Sequence, residues 1–201
     1  MWATIKSGGI WMIPIIFCAI CATFIIIERL YFFYTTKKHD AKMMDEVRSA
    51  LDKKDFSVVE ASCVTSGTPC AQVVRKAVSC RDWDEKAFQE TVQTEMDKSL
   101  PKYEHLLTAL GTIANIATLL GLLGTVTGNI KAFGVLSTGA TDPASLAGSI
   151  AEALVTTAAG LIVSIPAVVA HNFFLNEVNH LVTDMESNVT EVIFRLTGKR
   201  L

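Results

Sequence analysis

Asn115, Thr118, Thr125 and Asn129 fall on one seam of a helical grid, with Gly111 and Leu122 completing a spacing of 4, 3, 4, 3, 4. The stretch that carries them, 106–130, contains no charged residue. A lone threonine in such a helix satisfies its hydroxyl by bonding back to the carbonyl four residues earlier. Four polar residues on one seam of six point instead to a face turned toward protein or water. A second stretch answers it: GSIAEALVTTAAGLIVSIPAVVAHN, 148–172. There Ala153, Thr157, Gly160, Ser164 and His171 share one stripe, and Glu152, Thr156 and Ala159 the next. Hydroxyls and amides solvate or relay a proton, but none of them titrates near neutral pH. Glu152 has two readings: a solvated interfacial carboxylate, or an ion-pair or proton-pathway residue that survives through a partner.

A further seam on the first of these stretches is built of small residues. Ala114, Ala117, Gly121, Gly124 and Gly128 are spaced 3, 4, 3, 4, and Gly124 with Gly128 forms a GxxxG. Such a row lets another helix backbone approach closely, which drives association in lipid. Gly160 is the small residue of the facing stretch. Pro166 marks a kink and a candidate hinge, and His171 an interfacial histidine.

These residues need membrane-spanning helices to hold them. Half of the 201 residues are hydrophobic, yet 38 are charged (18 Lys and Arg, 20 Asp and Glu), and the charges are segregated. Three uncharged stretches, 7–27, 106–130 and 153–170, each approach the ~20 apolar residues that a span needs. The first ends in ERLYFFYTTKK, 28–38, an aromatic belt followed by lysines, with no small-x-small cleavage site, so it is expected to remain as a span. Of the 18 Lys and Arg, 13 lie in 28–105 and three more are Arg195, Lys199 and Arg200. The positive-inside rule then puts that loop and the C-terminus in the cytoplasm and the N-terminus outside.

The expected architecture is an all-α membrane protein with three transmembrane helices and long cytoplasmic helical extensions, N-terminus periplasmic and C-terminus cytoplasmic. The segments are 1–9 periplasmic, 10–30 first span, 31–104 cytoplasmic loop, 105–134 second span, 135–144 periplasmic turn, 145–172 third span and 173–201 cytoplasmic helix. Span one is expected to continue helically through AKMMDEVRSALDK, with Met43, Met44, Val47 and Leu51 on one side. Ser57 with Glu60 reads as a capping box and Asp82 with Glu85 as a second cap; TSGTP, 65–69, reads as a turn. A long helix is expected over 82–133, kinking or restarting near Pro101. Thr141 or Asp142 caps the third helix, with Pro143 at its first position. That helix runs on toward Thr197 with Val178, Leu181, Met185, Val189, Val192 and Leu196 on one face. Cys18 and Cys21 read as packing residues within span one, and Cys63, Cys70 and Cys80 as thiols in a reducing compartment.

LLGLLGTVTGNIKAF, 119–133, joined by a short link to IAEALVTTAAGLIVSIPAVVAHNFF, 150–174, resembles the ExbB/TolQ/MotA family of proton-channel subunits. GGIWMIPIIFCAICATFIIIERLYFF, 8–33, resembles the first span of the ExbB branch. The resemblance implies a homopentamer whose second and third spans line a pore around single-span helices of an ExbD-like partner. That partner supplies an aspartate, and proton movement energises a TonB-like protein for outer-membrane import. It implies a multi-pass protein of the bacterial inner membrane, held in a lipid bilayer. Residue by residue, the pore threonines fall on Thr125 and Thr157, the span-three glutamate on Glu152, and structural positions on Gly121, Gly124, Gly128 and Pro166. Thr156 and Asn129 are less typical and receive no role.

The residues themselves agree at one point. No titratable group stands at mid-membrane in the second and third spans, so the carrier must come from another chain. A TolQ-like subunit serving envelope integrity is the neighbouring alternative, and a non-conducting scaffold is one from a different class. A MotA-type stator has four spans against the three counted here. No nucleotide-binding, metalloprotease or nucleophilic motif is present, so neither an enzyme nor a cofactor is expected. Nor does any basic aromatic patch point to nucleic acid.

Overall fold

The computed structural model describes residues 8–137 and 143–197. Six helices run through them: α1 Met12–Asp52, α2 Phe56–Ser66, α3 Pro69–Ser79, α4 Glu85–Glu104, α5 Leu107–Ser137 and α6 Pro143–Thr197. There is no strand among the described residues. Three runs are long and apolar enough to cross a membrane: α1, α4 with α5, and α6. The chain folds as two compact units, one of residues 8–28, 106–137 and 143–173, the other of 29–105 and 174–197.

The first unit wears its large apolar side chains outside. Ile13, Phe17, Ile20, Phe24 and Ile27 of α1 are exposed, as are Leu119, Val126 and Phe133 of α5 and Leu154, Ile162 and Val169 of α6. Water would not tolerate so much contiguous apolar surface, whereas the acyl chains of a bilayer match it. The interior is rich in small residues: Ala22, Ala114, Ala117, Ala153 and Ala167 are buried, as are Gly121, Gly124 and Gly128, with Ile15, Leu107 and Leu110 beside them.

The second unit follows the opposite rule. Its core is apolar at helical spacing: Met43, Met44, Val47 and Leu51 of α1, and Val178, Leu181, Met185, Val189 and Val192 of α6. The two helices run parallel there. The rings of Phe33 and Phe174 stack at 5.5 Å. Lys37 pairs with Glu177 at 3.4 Å, Arg48 with Glu191 at 2.8 Å, and Arg195 with Asp52. The α2–α3 turn is made by Gly67 at φ +64°, Thr68 as N-cap accepting from the Ala71 N–H, and Pro69 at the first helical position. The expected TSGTP turn is narrower than its five residues: Thr65 and Ser66 still belong to α2, and Pro69 already opens α3.

Three local expectations need correction. The N-cap of α2 is Asp55, which accepts from the Val58 N–H, while the Ser57 hydroxyl donates to Asp55 at 2.6 Å. A carboxylate two residues earlier outcompetes the serine for the free N–H groups. The residue before α4 is Asp84 and not Asp82, and it makes no side-chain cap bond. Pro101 lies inside α4 without breaking it. The break comes at His105–Leu106, where Leu106 takes φ +65°, and the Leu106 carbonyl accepts from the Leu110 N–H to open α5. Helix α6 does begin at Pro143; Thr141 and Asp142 lie outside the described residues.

All five cysteines are free. Burial raises the Cys70 thiol well above its usual range and pushes Cys63 up to about 11, so both stay protonated and unreactive at neutral pH.

Asp40 is almost fully buried in the second unit, and the Thr68 hydroxyl donates to it. Burial pushes its carboxyl up to about 6, against the lowering effects of the Thr68 bond and His39 and with Asp184 adding to the rise. The folded value lies above the ordinary 3.8, so the folded chain holds a proton that the unfolded chain has released. The charged carboxylate therefore penalises folding above about pH 6, and the penalty fades as pH falls toward about 4. Asp40→Asn is expected to raise stability by about 2–3 kcal/mol near pH 8 and by little near pH 4. Thermal unfolding of both chains in detergent across this range checks it.

Candidate functional site

Helices α5 and α6 pack backbone to backbone in the first unit. A Cβ on Gly160 would lie 2.6 Å from the Ala117 carbonyl oxygen and 3.0 Å from the Gly121 Cα. One on Gly121 would lie 3.2 Å from the Thr157 Cα. One on Gly124 would lie 2.6 Å from the Thr156 Cβ, and one on Gly128 2.6 Å from the Ala153 Cβ. Contacts this close use dispersion and short polar bonds, the terms that hold helices together in lipid.

Because the backbones are so near, short side chains can bond across. The Thr157 hydroxyl donates to the Gly121 carbonyl at 2.9 Å, with its own Ala153 carbonyl at 3.3 Å. The Thr118 hydroxyl donates to Ser164 Oγ at 2.6 Å, with the Ala114 carbonyl at 3.3 Å. Thr125 donates within its own helix, to the Leu122 carbonyl at 2.6 Å. Thr157 and Thr125 are half-buried, whereas Asn115 and Asn129 are exposed. The polar seam thus starts in the helix–helix groove and opens onto the unit's surface. No ionisable residue occurs in 106–130 or 153–170.

At one end of the groove Glu152 Oε1 sits 2.8 Å from Lys131 Nζ. At the other, the His171 imidazole lies over Gly111, where a Cβ would come 2.9 Å from Nε2. Pro166 lies within the continuous helix α6. Among the described residues no group of three His, Cys, Asp or Glu side chains is placed to hold a metal ion.

Three spanning helices, a glycine-bonded pair among them and a polar seam without a titratable group form a recognisable combination. The model of the MotA/TolQ/ExbB proton channel family matches residues 66–187, more than half of the chain. The chain belongs to this family. It is 28% identical over 171 residues to the putative biopolymer transport protein ExbB-like 3 of Synechocystis sp., which covers 84% of this chain and 81% of that one. It is 28% identical over 191 residues to the biopolymer transport protein ExbB of Neisseria gonorrhoeae, covering 88% and 86%. The biopolymer transport protein ExbB of Xanthomonas campestris pv. campestris is 39% identical over 102 residues, 49% of this chain and 38% of that protein. With its three spans, this ExbB-like chain is a multi-pass protein of the bacterial inner membrane.

Three participants were passed over in the sequence. Thr156 is fully buried over Gly124 and donates to the Glu152 carbonyl; the buried spacing Ala153, Thr156, Gly160, Ser164, Ala167 was legible but was split between two stripes. Lys131 reads in the sequence only as a charge, although it is the sole Lys or Arg between Lys102 and Arg195. Trp11, whose indole N–H donates to Thr127 Oγ1 at 3.0 Å, carried no signal beyond being aromatic near a span end.

Gly160→Ala is expected to destabilise the chain by about 1–3 kcal/mol, because the added methyl meets backbone that cannot yield. Gly148→Ala, whose added Cβ meets nothing within 4 Å in the same helix, is expected to be neutral or to stabilise by up to about 1 kcal/mol. Denaturant titration in mixed micelles compares them.

Proposed function

We propose that this chain is the ExbB-like subunit of an inner-membrane proton channel that, with an ExbD-like single-span partner, uses the proton motive force to energise a TonB-type protein for outer-membrane import. The chain assembles as a homopentamer with its N-terminus in the periplasm and its C-terminus in the cytoplasm. Spans 10–30, 105–134 and 145–172 hold the site, and 31–104 with 173–201 form the cytoplasmic stalk. Its work is transport and not catalysis, and it needs no cofactor.

The observation that carries this reading is the seam itself. Thr118 with Ser164, then Thr157, then Thr125 give a run of hydroxyls beside exposed Asn115, in a surface otherwise suited to lipid. An exposed amide at membrane depth is costly against acyl chains and comfortable against water or a polar partner. Glu152 stands at the outer end of this run. The seam offers no group able to carry a proton, so the reading assigns the carrier to an aspartate of the partner. Hydroxyl groups around a desolvated carboxylic acid let it cycle its proton near neutral pH. The membrane potential then acts on that charge with about 2.3 kcal/mol per 100 mV.

The test is proton flux into liposomes holding this chain with its ExbD-like partner. Thr157→Val is expected to lower flux by roughly tenfold or more, equivalent to at least about 1.4 kcal/mol on the barrier. Thr157→Ser, which keeps the hydroxyl, is expected to retain most of it. Flux that survives the valine moves the proton route off the seam, and flux by this chain alone removes the need for a carboxylate in trans.

A further inference from the structure

The outer end of the first unit holds a close three-way contact. Glu152 of α6 and Lys131 of α5 meet at 2.8 Å, with side-chain exposures of 25% and 55%. The turn that leads into α1 is pressed onto the same carboxylate. A Cβ on Gly9 would lie 1.9 Å from Glu152 Oε1 and 2.8 Å from Cδ. Gly9 also has φ +64°, a backbone conformation that side-chain-bearing residues rarely adopt. Position 9 therefore demands glycine for two independent reasons, and one of them is Glu152.

A second tie lies one helical turn from Lys131. The Trp11 indole N–H donates to Thr127 Oγ1 at 3.0 Å, and Thr127 bonds back to the Leu123 and Gly124 carbonyls. Span one thus meets α5 and α6 at adjacent turns, once through the Trp11–Thr127 hydrogen bond and once through the packing of Gly9 against Glu152. Within α6 the Glu152 carbonyl accepts from the Thr156 hydroxyl, and Thr156 fills the hollow left by Gly124 on α5.

We propose that Gly9, Lys131 and Glu152 form an outer clasp that seats span one on the α5–α6 pair, and that Glu152 serves the proton route as a positioning residue and not as a relay. A relay must present its carboxylate to an incoming donor. Here one oxygen already accepts from an ammonium group and is covered by the Gly9 backbone. The positioning role follows from what Glu152 touches: the lead-in to span one on one side, and on the other the Thr156 turn that abuts Thr157.

Charge exchange separates the two roles, because a clasp needs opposite charges and a relay needs a carboxylate at 152. The full chain is melted in detergent and its proton flux is measured in liposomes with the ExbD-like partner. Glu152→Lys and Lys131→Glu alone place like charges together, and each is expected to lower the melting midpoint by about 2–4 °C and to lower flux. The double exchange is expected to recover both. Recovery of the midpoint without flux would make Glu152 a relay and overturn the proposal, and recovery of neither would show that the pair does not form. Gly9→Ala is expected to cost more in the wild-type chain than in a Glu152→Ala background; equal costs would detach Gly9 from the clasp. The flux arm rests on the channel reading. A wild-type chain that conducts nothing would count against that reading, while the melting cycle still decides the clasp.

Discussion

Everything in the first unit depends on how near two helix axes can come. Lipid tails are as apolar as leucine, so a span gains little by burying leucine against another span. What remains is dispersion and short polar bonds, both of which demand close approach. Gly160 against Ala117 and Gly121 provides it. With larger residues there, Thr157 could not reach the Gly121 carbonyl, nor Thr118 reach Ser164. The small-residue seam and the polar seam are therefore one device: the first sets the distance and the second uses it.

Helices α1 and α6 each serve two solvents. Along residues 8–28 and 143–173 they present most of their isoleucine, phenylalanine and valine outward and keep alanine and glycine within, with Met12, Ile15 and Ile25 of α1 beside them. Along 29–52 and 174–197 they bury methionine, valine and leucine and place ion pairs at the surface. Half-exposed pairs such as Arg48 with Glu191 are worth little each in stability. Their regular offset along both helices does fix the parallel register of the two. Asp40 runs against this economy, since a carboxylate is held where an apolar residue would fold better at neutral pH.

Periodicity made several features legible. The continuation of α1 to Asp52 and the amphipathic face from Val178 to Val192 followed from it, while the three long apolar runs followed from the segregation of charge and the onset of α6 from Pro143 itself. The Gly67–Thr68–Pro69 turn likewise followed from residue type, since each residue type has one preferred position there. The helix caps were less legible, because several acceptors compete within two or three residues, and Asp55 won over Ser57. Pro101 misled for a related reason. A proline removes one hydrogen bond and leaves the rest of the helix intact, while the actual break depends on the backbone of Leu106, which no residue type announces. At the site, the stripes were legible but their partners were not. That Glu152 meets Lys131 and that Thr156 lies inside while Thr157 lies at the edge are facts of rotation between helices, and a single helix does not contain them.

The threonine hydroxyls have a direction. Each carries one hydrogen, and at Thr157 and Thr125 that hydrogen is already spent on a backbone carbonyl. What each oxygen still offers is its lone pairs, so it can accept a bond but has none to give. A neutral carboxylic acid has an O–H to donate to such an oxygen, and a carboxylate has not. A groove lined in this way favours the protonated form of any acid that enters it. Such a lining accepts a bond from a protonated acid and offers none to its carboxylate.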